Sequence, residues 1–376
     1  VKVFRNGHIW PVSSPPIPDG IVVVDGSKIV AVGDKGLSYK ENAEVIDCGG
    51  KHVMPGLVEA HSHLTLFDDG LDVLFKKQVK QEVMGYKRKY GGSVTPDWDV
   101  YYDFCHDHPE LKEALRGGVT TALIRPGSTR VINGLGFVTK TLGTSRKDMV
   151  IKRPDGLKIA FGENPISKEY PATRMANAAV LRESLIAAGN YKGKERDLGL
   201  EILRDLLEGK LTAKVHAHRH DDIMTVIRLV DEFGFSLVLE HATEAYKVVD
   251  EIVKRDIPCV TGPSFASRDK VELRDETFAN PGILERAGVK LAITTDHPIV
   301  GIEYLRLEAI LAYREGLSRD GALKAITLWP AEIIGVSDRV GSIEVSKDAD
   351  LVILNGDPLS LISRVDQVYV NGEKAY

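Results

Sequence analysis

Gly56-Leu57-Val58-Glu59-Ala60-His61-Ser62-His63 is a short apolar run that breaks into two histidines one residue apart. A run of this length behind Pro55-Gly56 reads as a buried strand. Alternate residues of a strand share one face, so His61 and His63 point the same way, a geometry suited to gripping one ion. Outward from this stretch the plan repeats. Strands are predicted at 56–60, 120–124, 136–141, 157–161, 214–217, 236–240, 258–261 and 291–295, with amphipathic helices between them at 177–188, 222–233, 244–255 and 303–316 among others. Eight strands separated by helices predict an α/β fold, a parallel (β/α)8 TIM barrel. Gly134-Leu135-Gly136, at the edge of the third strand, reads equally well as loop.

Functional groups of such a barrel sit at the C-terminal ends of its strands. The eleven histidines concentrate there. The first strand ends in His61-Ser62-His63, the fifth in His216-Ala217-His218, the sixth in Glu240-His241 and the eighth in Asp296-His297. Imidazole nitrogen suits Zn²⁺ and related metals, and a carboxylate completes the set. Any single histidine on an apolar strand is more often a hydrogen-bonded core residue; it is the gathering of several that argues for a metal. His106-Asp107-His108 has the same spacing but precedes Pro109-Glu110, a helix start, and reads as a solvated cap. His8, His52 and His220 read as structural.

Both chain ends read as β. Asn6-Gly7, Asp25-Gly26 and Asn371-Gly372 mark turns between short strands. Neither end is long enough to stand alone, so the two are expected to pair into one small β-sandwich domain, 1–55 plus 340–376, beside a barrel of 56–339. With 376 residues, 43% hydrophobic and 27% charged, disorder is excluded as the main state, and no apolar run approaches the ~20 residues of a membrane span. A net charge of −5 gives no reason to expect nucleic acid or an anionic membrane as partner. The expected partner is a small-molecule substrate, and homo-oligomerisation stays open. Three widely spaced cysteines, with no apolar leader block over 1–6, fit buried thiols in a reducing cytoplasm.

The arrangement resembles the amidohydrolase superfamily of metal-dependent hydrolases over nearly the whole chain, and within it the imidazolonepropionase-related branch, which includes metallo-dipeptidases and carboxypeptidases. The resemblance rests on Val53-Met54-Pro55-Gly56 running into His61-Ser62-His63, and on His216, His241 and Asp296 in family order. It rests also on Gly341-Ser342-Ile343-Glu344-Val345-Ser346-Lys347-Asp348-Ala349-Asp350-Leu351, with Ser346 where the family normally has Gly. Trp329-Pro330-Ala331 stands where Asn-Pro-Ala is usual. The resemblance implies that His61, His63, His216 and His241 bind metal, and that Asp296 both ligates and acts as general base. Metal-bound water then becomes available as hydroxide near neutral pH.

Binuclear relatives bridge their ions with a carboxylated lysine or a glutamate. Lys158 lies within the fourth strand, as the carboxylated lysine does in relatives, and a lysine there is costly unless paired or modified. Glu163, just past that strand, is the rival bridge; both can serve only if Gly162 bends the chain. A mononuclear site with Lys158 in a plain ion pair is the alternative. Arg174, Arg219 and Arg268 follow barrel strands and are candidates to hold a substrate carboxylate, Arg219 first, with His218 contacting substrate or supporting a ligand. The insertion 67–107, rich in Lys and aromatics, either covers or opens the barrel mouth. The leading expectation is a Zn²⁺-dependent hydrolase, with one or two ions, that cleaves a C–N bond in a cyclic amide or amidine-like molecule. A dipeptidase or carboxypeptidase is the rival. A catalytically inactive scaffold is disfavoured because the donor residues are all present.

Overall fold

The computed structural model describes residues 1–66, 92–167 and 170–376. Of the insertion expected at the mouth, 67–91 lies outside the described residues. The N-terminal strands are β1 (Lys2–Ile9), β2 (Ile17–Asp25), β3 (Lys28–Gly33), β4 (Glu44–Asp47) and β5 (His52–Pro55). The central strands are β6 (Leu57–Ser62), β7 (Val119–Ile124), β8 (Ile132–Leu135), β9 (Phe137–Lys140), β10 (Val150–Lys152), β11 (Leu157–Ala160), β12 (Thr212–Ala217), β13 (Ser236–His241), β14 (Cys259–Thr261) and β15 (Leu291–Ile293). Last come β16 (Leu351–Leu354), β17 (Val365–Val370) and β18 (Glu373–Lys374).

The two chain ends do pair. They form one eight-stranded sheet in the order β18-β17-β16-β5-β1-β2-β3, with β4 also on β1, a single hydrogen-bonded path where two facing sheets were expected. Asn6-Gly7 is not a hairpin turn. It is an irregularity inside β1, with Asn6 at φ 55°, and it lets β1 pair first with β4 and then with β5. Asp25-Gly26 and Asn371-Gly372 are hairpin turns as predicted, closing β2–β3 and β17–β18. Ser346 holds φ 76°, the left-handed region that glycine enters most cheaply. From the same segment Asp348 and Asp350 reach the buried Lys140 Nζ of β9 at 3.0 and 2.6 Å, pinning the returning chain to the barrel-like part.

That part is α/β, with β6 and β7 parallel and β11 through β15 parallel in sequence order. The third strand departs from expectation. It splits at Gly136 into β8 and β9, antiparallel to β11 and β7 respectively. A Cβ on Gly134, at φ 125°, would lie 2.4 Å from Trp98 O, so glycine is required where the insertion's return packs on this strand. No backbone ladder joins β15 to β6 among the described residues. There Glu59, fully buried, accepts from Thr294 Oγ1 (2.6 Å), Thr295 N (2.9 Å) and Thr295 Oγ1 (2.7 Å), while His63 N donates to His297 O at 2.8 Å.

Helices cover the outer face. Arg174–Asn190 is capped by Thr173, and His220–Phe233 ends on Gly234 at φ 77°. Leu198–Leu207, with Leu200, Leu203 and Leu206 buried, was not singled out from the sequence. The helix expected at 244–255 is two short pieces, Ala245–Lys247 and Val249–Val253, broken at Val248 (φ −130°, ψ 26°). No helix among the described residues is long and apolar enough to cross a membrane. Of the cysteines, Cys48 and Cys259 are buried as expected, whereas Cys105 is half-exposed.

Glu308 fixes the loop after β14 by accepting from Ser264 N (3.1 Å) and Phe265 N (3.0 Å). Burial pushes its carboxyl up to about 7, and Glu276 likewise to about 7. An acid whose folded value is raised favours the fold most below its ordinary 4.5, and that contribution is lost as pH rises through about 7. Urea midpoints are therefore expected to fall between pH 5 and pH 8, each group adding at most ~1.4 kcal/mol per pH unit. Glu276→Gln should flatten the slope; an unchanged slope would show that this group does not carry it.

Candidate metal centre

Strand alternation places the donors. His61 and His63 leave the end of β6, and Asp296 follows β15 at φ 50°, its backbone N–H donating to Thr294 Oγ1 at 3.0 Å. Asp296 Oδ1 lies 3.2 Å from His61 Nε2 and 3.3 Å from His63 Nε2. At the ends of β12 and β13, His216, His218 and His241 form a second group, and within each group the donor atoms all lie within 4.8 Å of one another. The groups adjoin: the rings of His61, in the first, and His241, in the second, are 4.8 Å apart. The structure places His218 within the second group of possible donors, beside His216 and His241.

Each imidazole is tied back through Nδ1. His63 Nδ1 is 2.8 Å from Arg125 O and His241 Nδ1 is 2.9 Å from Gly262 O. A carbonyl only accepts, so both rings carry their proton on Nδ1 and turn a lone pair outward from Nε2. His218 Nδ1 meets Thr243 Oγ1 at 2.8 Å, and His216 Nδ1 meets Ser128 Oγ at 3.2 Å. His216 Nε2 and His218 Nε2 are buried with no hydrogen-bond partner among the described residues. Buried, oriented and unsatisfied nitrogens beside a carboxylate are what a divalent metal requires, and the residues fit one.

The electrostatics agree. Burial, then the neighbouring His241, hold His216 and His218 well below the ordinary histidine value; burial likewise pushes His241 down to about 3. Neutral imidazoles are metal donors. Burial pushes Asp296 up, but His241, His61 and His63 outweigh it and hold the carboxyl well below its ordinary range. It is ionised at neutral pH. It is also the part-exposed member, 15% against 0% for His61.

Other sequence candidates land elsewhere. Lys158 Nζ lies 2.6 Å from Glu240 Oε2, both fully buried, so its amine is committed to an ion pair. Glu163 is in neither donor group: Gly162 does bend the chain, at φ 85°, yet it turns Glu163 toward Arg174 Nη2 at 3.6 Å. Arg219 is held bidentately by Asp221 (2.9 and 2.7 Å), Arg174 Nε by Asp222 (3.0 Å), and Arg268 by the carbonyls of Arg274 and Glu276. His108 Nδ1 accepts from Glu110 N at 3.4 Å at the start of its helix, but the N-cap is Pro109 and the His108 side chain is only 14% exposed, so it is not the solvated cap expected. His8 and His52 stack beside Trp10, and His220 pairs with Glu244, all structural.

Two residues were given no role by the sequence reading. Arg125 pairs its Nη2 with Asp155 (3.2 Å) and its Nη1 with Glu240, whose Oε2 is 3.0 Å from His61 Nδ1. Through its carbonyl Arg125 also orients His63, so one residue supports both histidines of β6. The signal was available: Arg125 directly follows the second predicted strand and Glu240 ends the sixth.

The crystal structure of an amidohydrolase from Thermotoga maritima MSB8 superposes with a TM-score of 0.92 at 37% identity, with both chains covered completely at 100%. The imidazolonepropionase of Syntrophobacter fumaroxidans is 25% identical over 428 residues, 96% of this chain and 92% of its own length. Amidohydrolase tasK of Hapsidospora irregularis is 24% identical over 98% of this chain, which spans 42% of that protein. A profile of the amidohydrolase family matches residues 52–374, from β5 to β18. The match takes in the strands that carry the donors together with β5, β16, β17 and β18 of the terminal sheet, and the protein belongs to the amidohydrolase family, metal-dependent hydrolases acting on carbon–nitrogen bonds.

Proposed function

We propose that the protein is a zinc-dependent hydrolase that opens a cyclic amide or amidine-like ring of the imidazolone type. The observation that carries the reading is the pair of adjoining donor groups, His61-His63-Asp296 and His216-His218-His241, with imidazoles locked through Nδ1. All-nitrogen-and-oxygen donors favour Zn²⁺ or a close relative. Lys158 enters as the partner of Glu240 rather than as a carboxylated bridge, because its Nζ is already bound to a carboxylate at 2.6 Å. When bound, such an ion lowers the pKa of water toward ~7 and polarises the carbonyl under attack. Asp296, ionised and reachable from solvent, accepts the proton of the attacking water and delivers it to the leaving nitrogen. The catalytic part is assigned to 56–339, with 1–55 and 340–376 as its supporting sheet. The cytoplasm is the proposed location.

The likeness to imidazolonepropionase over 92% of its length supports the ring substrate. So does the state of the arginines. A peptidase needs a free cation for a terminal carboxylate, and Arg174, Arg219 and Arg268 are all engaged within the protein. Screening imidazolones, hydantoins, cyclic ureas and dipeptides with zinc-loaded enzyme tests this. Ring opening of a five-membered cyclic amide or amidine is expected, at kcat on the order of 10 s⁻¹ for a good substrate. Turnover of dipeptides with none of the rings would replace the proposal by its rival.

A further inference from the structure

His61 and His63 come from β6 and Asp296 follows β15, and among the described residues no backbone ladder joins these two strands. Other groups must therefore keep Asp296 Oδ1 at 3.2 and 3.3 Å from the two rings. On the strand side of the donors Glu59 does so, through Thr294 and Thr295. Past the donors, His63 N–H meets His297 O at 2.8 Å, and a second carboxylate joins in from outside both strands. It is Glu110, the first residue of the helix Glu110–Arg116. Its Oε2 accepts the N–H of Thr65, two residues after His63, at 2.6 Å. Its Oε1 lies 3.2 Å from Nε2 of His297, the residue after Asp296.

The two contacts call for a carboxylate. His297 Nδ1 accepts Ile302 N–H at 3.2 Å, so the ring carries its proton on Nε2, facing Glu110. That approach is a close electrostatic contact rather than an aligned hydrogen bond. Thr65 N–H and His297 Nε2–H are both donors, and only a side chain with two accepting oxygens serves both. Burial pushes the Glu110 carboxyl up, but His297 and then Thr65 N–H outweigh it, so it lies below its ordinary value and is ionised at neutral pH. The backbone on either side is unusual. Thr65 holds φ 66°, a left-handed region that β-branched residues rarely enter, and Asp296 holds φ 50°. Such conformations persist only where the surroundings over-determine them. Glu110 grips the first directly and the second through its neighbour. We propose that Glu110 is a positioning residue of the first donor group: by tying the loop after β6 to the loop after β15, it sets where Asp296 stands against His61 and His63. This rests on the reading that those three residues hold a metal, and Glu110 itself is in neither donor group.

The test is the zinc affinity of the stripped full chain, read by competition with a chromophoric chelator, beside urea unfolding and the visible bands of the cobalt-loaded protein. Glu110→Gln can keep the bond from Thr65 but then turns an amide N–H toward His297 Nε2–H. It should weaken zinc binding by roughly 10- to 100-fold, and the cobalt bands should shift because the donors around the ion move. Glu303→Gln is the control. It removes the Arg116–Glu303 pair (2.9 Å) at the other end of the same helix, and should leave zinc affinity and cobalt bands as in wild type even where the urea midpoint falls. In Glu110→Gln, zinc affinity within about twofold of wild type, or lost with the cobalt bands unshifted, overturns the proposal and leaves the carboxylate a structural clasp. If that variant does not fold, His297→Gln decides, since it takes away the ring that faces Glu110: a similar loss of zinc affinity supports the tie, and wild-type affinity overturns it. A wild type that binds no zinc would remove the metal reading and this proposal with it, whereas zinc held equally by wild type and Glu110→Gln removes this proposal alone.

Discussion

Asp296→Asn is expected to lower kcat on the ring substrate by at least about 10²–10⁴-fold, the range that a general base contributes, while the fold stays intact. The exchange is nearly isosteric. Asn tolerates the left-handed backbone that Asp296 adopts at φ 50°, and its N–H can keep the bond to Thr294 Oγ1. What it loses is the ionised oxygen set 3.2 and 3.3 Å from His61 and His63. An amide accepts no proton at neutral pH and is a poorer metal donor. Zinc content measured beside kcat tells these losses apart: full metal with collapsed turnover isolates the proton transfer, and turnover near wild type would remove Asp296 from that role.

The largest effect on stability is expected from Glu240→Gln. Glu240 is fully buried among Arg125, Lys158 and His61, and burial, which pushes its carboxyl up, is outweighed chiefly by Arg125 and then by His61 and Lys158, so that it lies well below the ordinary range. Neutralising it leaves two buried cations around an amide, with Asp155 as the remaining carboxylate on Arg125. Breaking a buried pair from one side typically costs 3–5 kcal/mol, far more than the pair contributes when intact. The exposed pair Lys2–Glu373, at 3.4 Å with the glutamate 75% exposed, is the contrast, and Glu373→Gln should change stability by less than ~1 kcal/mol. Urea unfolding of both variants checks this. A loss for Glu240→Gln no larger than that for Glu373→Gln would mean that the interior network is hydrated or rearranges. Because Glu240 also abuts His61 Nδ1, zinc affinity should fall in the same variant.

Much of the site could be read from single strands. His61 with His63, and His216 with His218, needed only strand alternation and the rule that functional groups sit at C-terminal strand ends, and Asp296 followed from the same rule. The arginines show what the strand-end rule leaves out. A long cation near a strand end says nothing of the carboxylate that folding brings to it: Asp222 takes up Arg174 from another helix, while Asp221, two residues along the chain, takes up Arg219. Lys158 and Glu163 show the same limit. Their strand positions were right, but Glu240 from another strand claimed the lysine, and the turn at Gly162 sent the glutamate to Arg174.

By itself, the order of residues determined the alternation of strands and helices, the pairing of the two chain ends and the clustering of imidazoles, because each follows from local periodicity, turn chemistry or composition. Only the tertiary structure decided that the third strand runs antiparallel in two pieces, that Arg125 supports both histidines of β6, and that Glu110 meets Thr65 and His297 from a helix outside both donor strands. Those outcomes depend on which buried charges meet across strands. Burial makes unpaired charges costly enough that partners are chosen by three-dimensional proximity, which spacing along the chain does not encode.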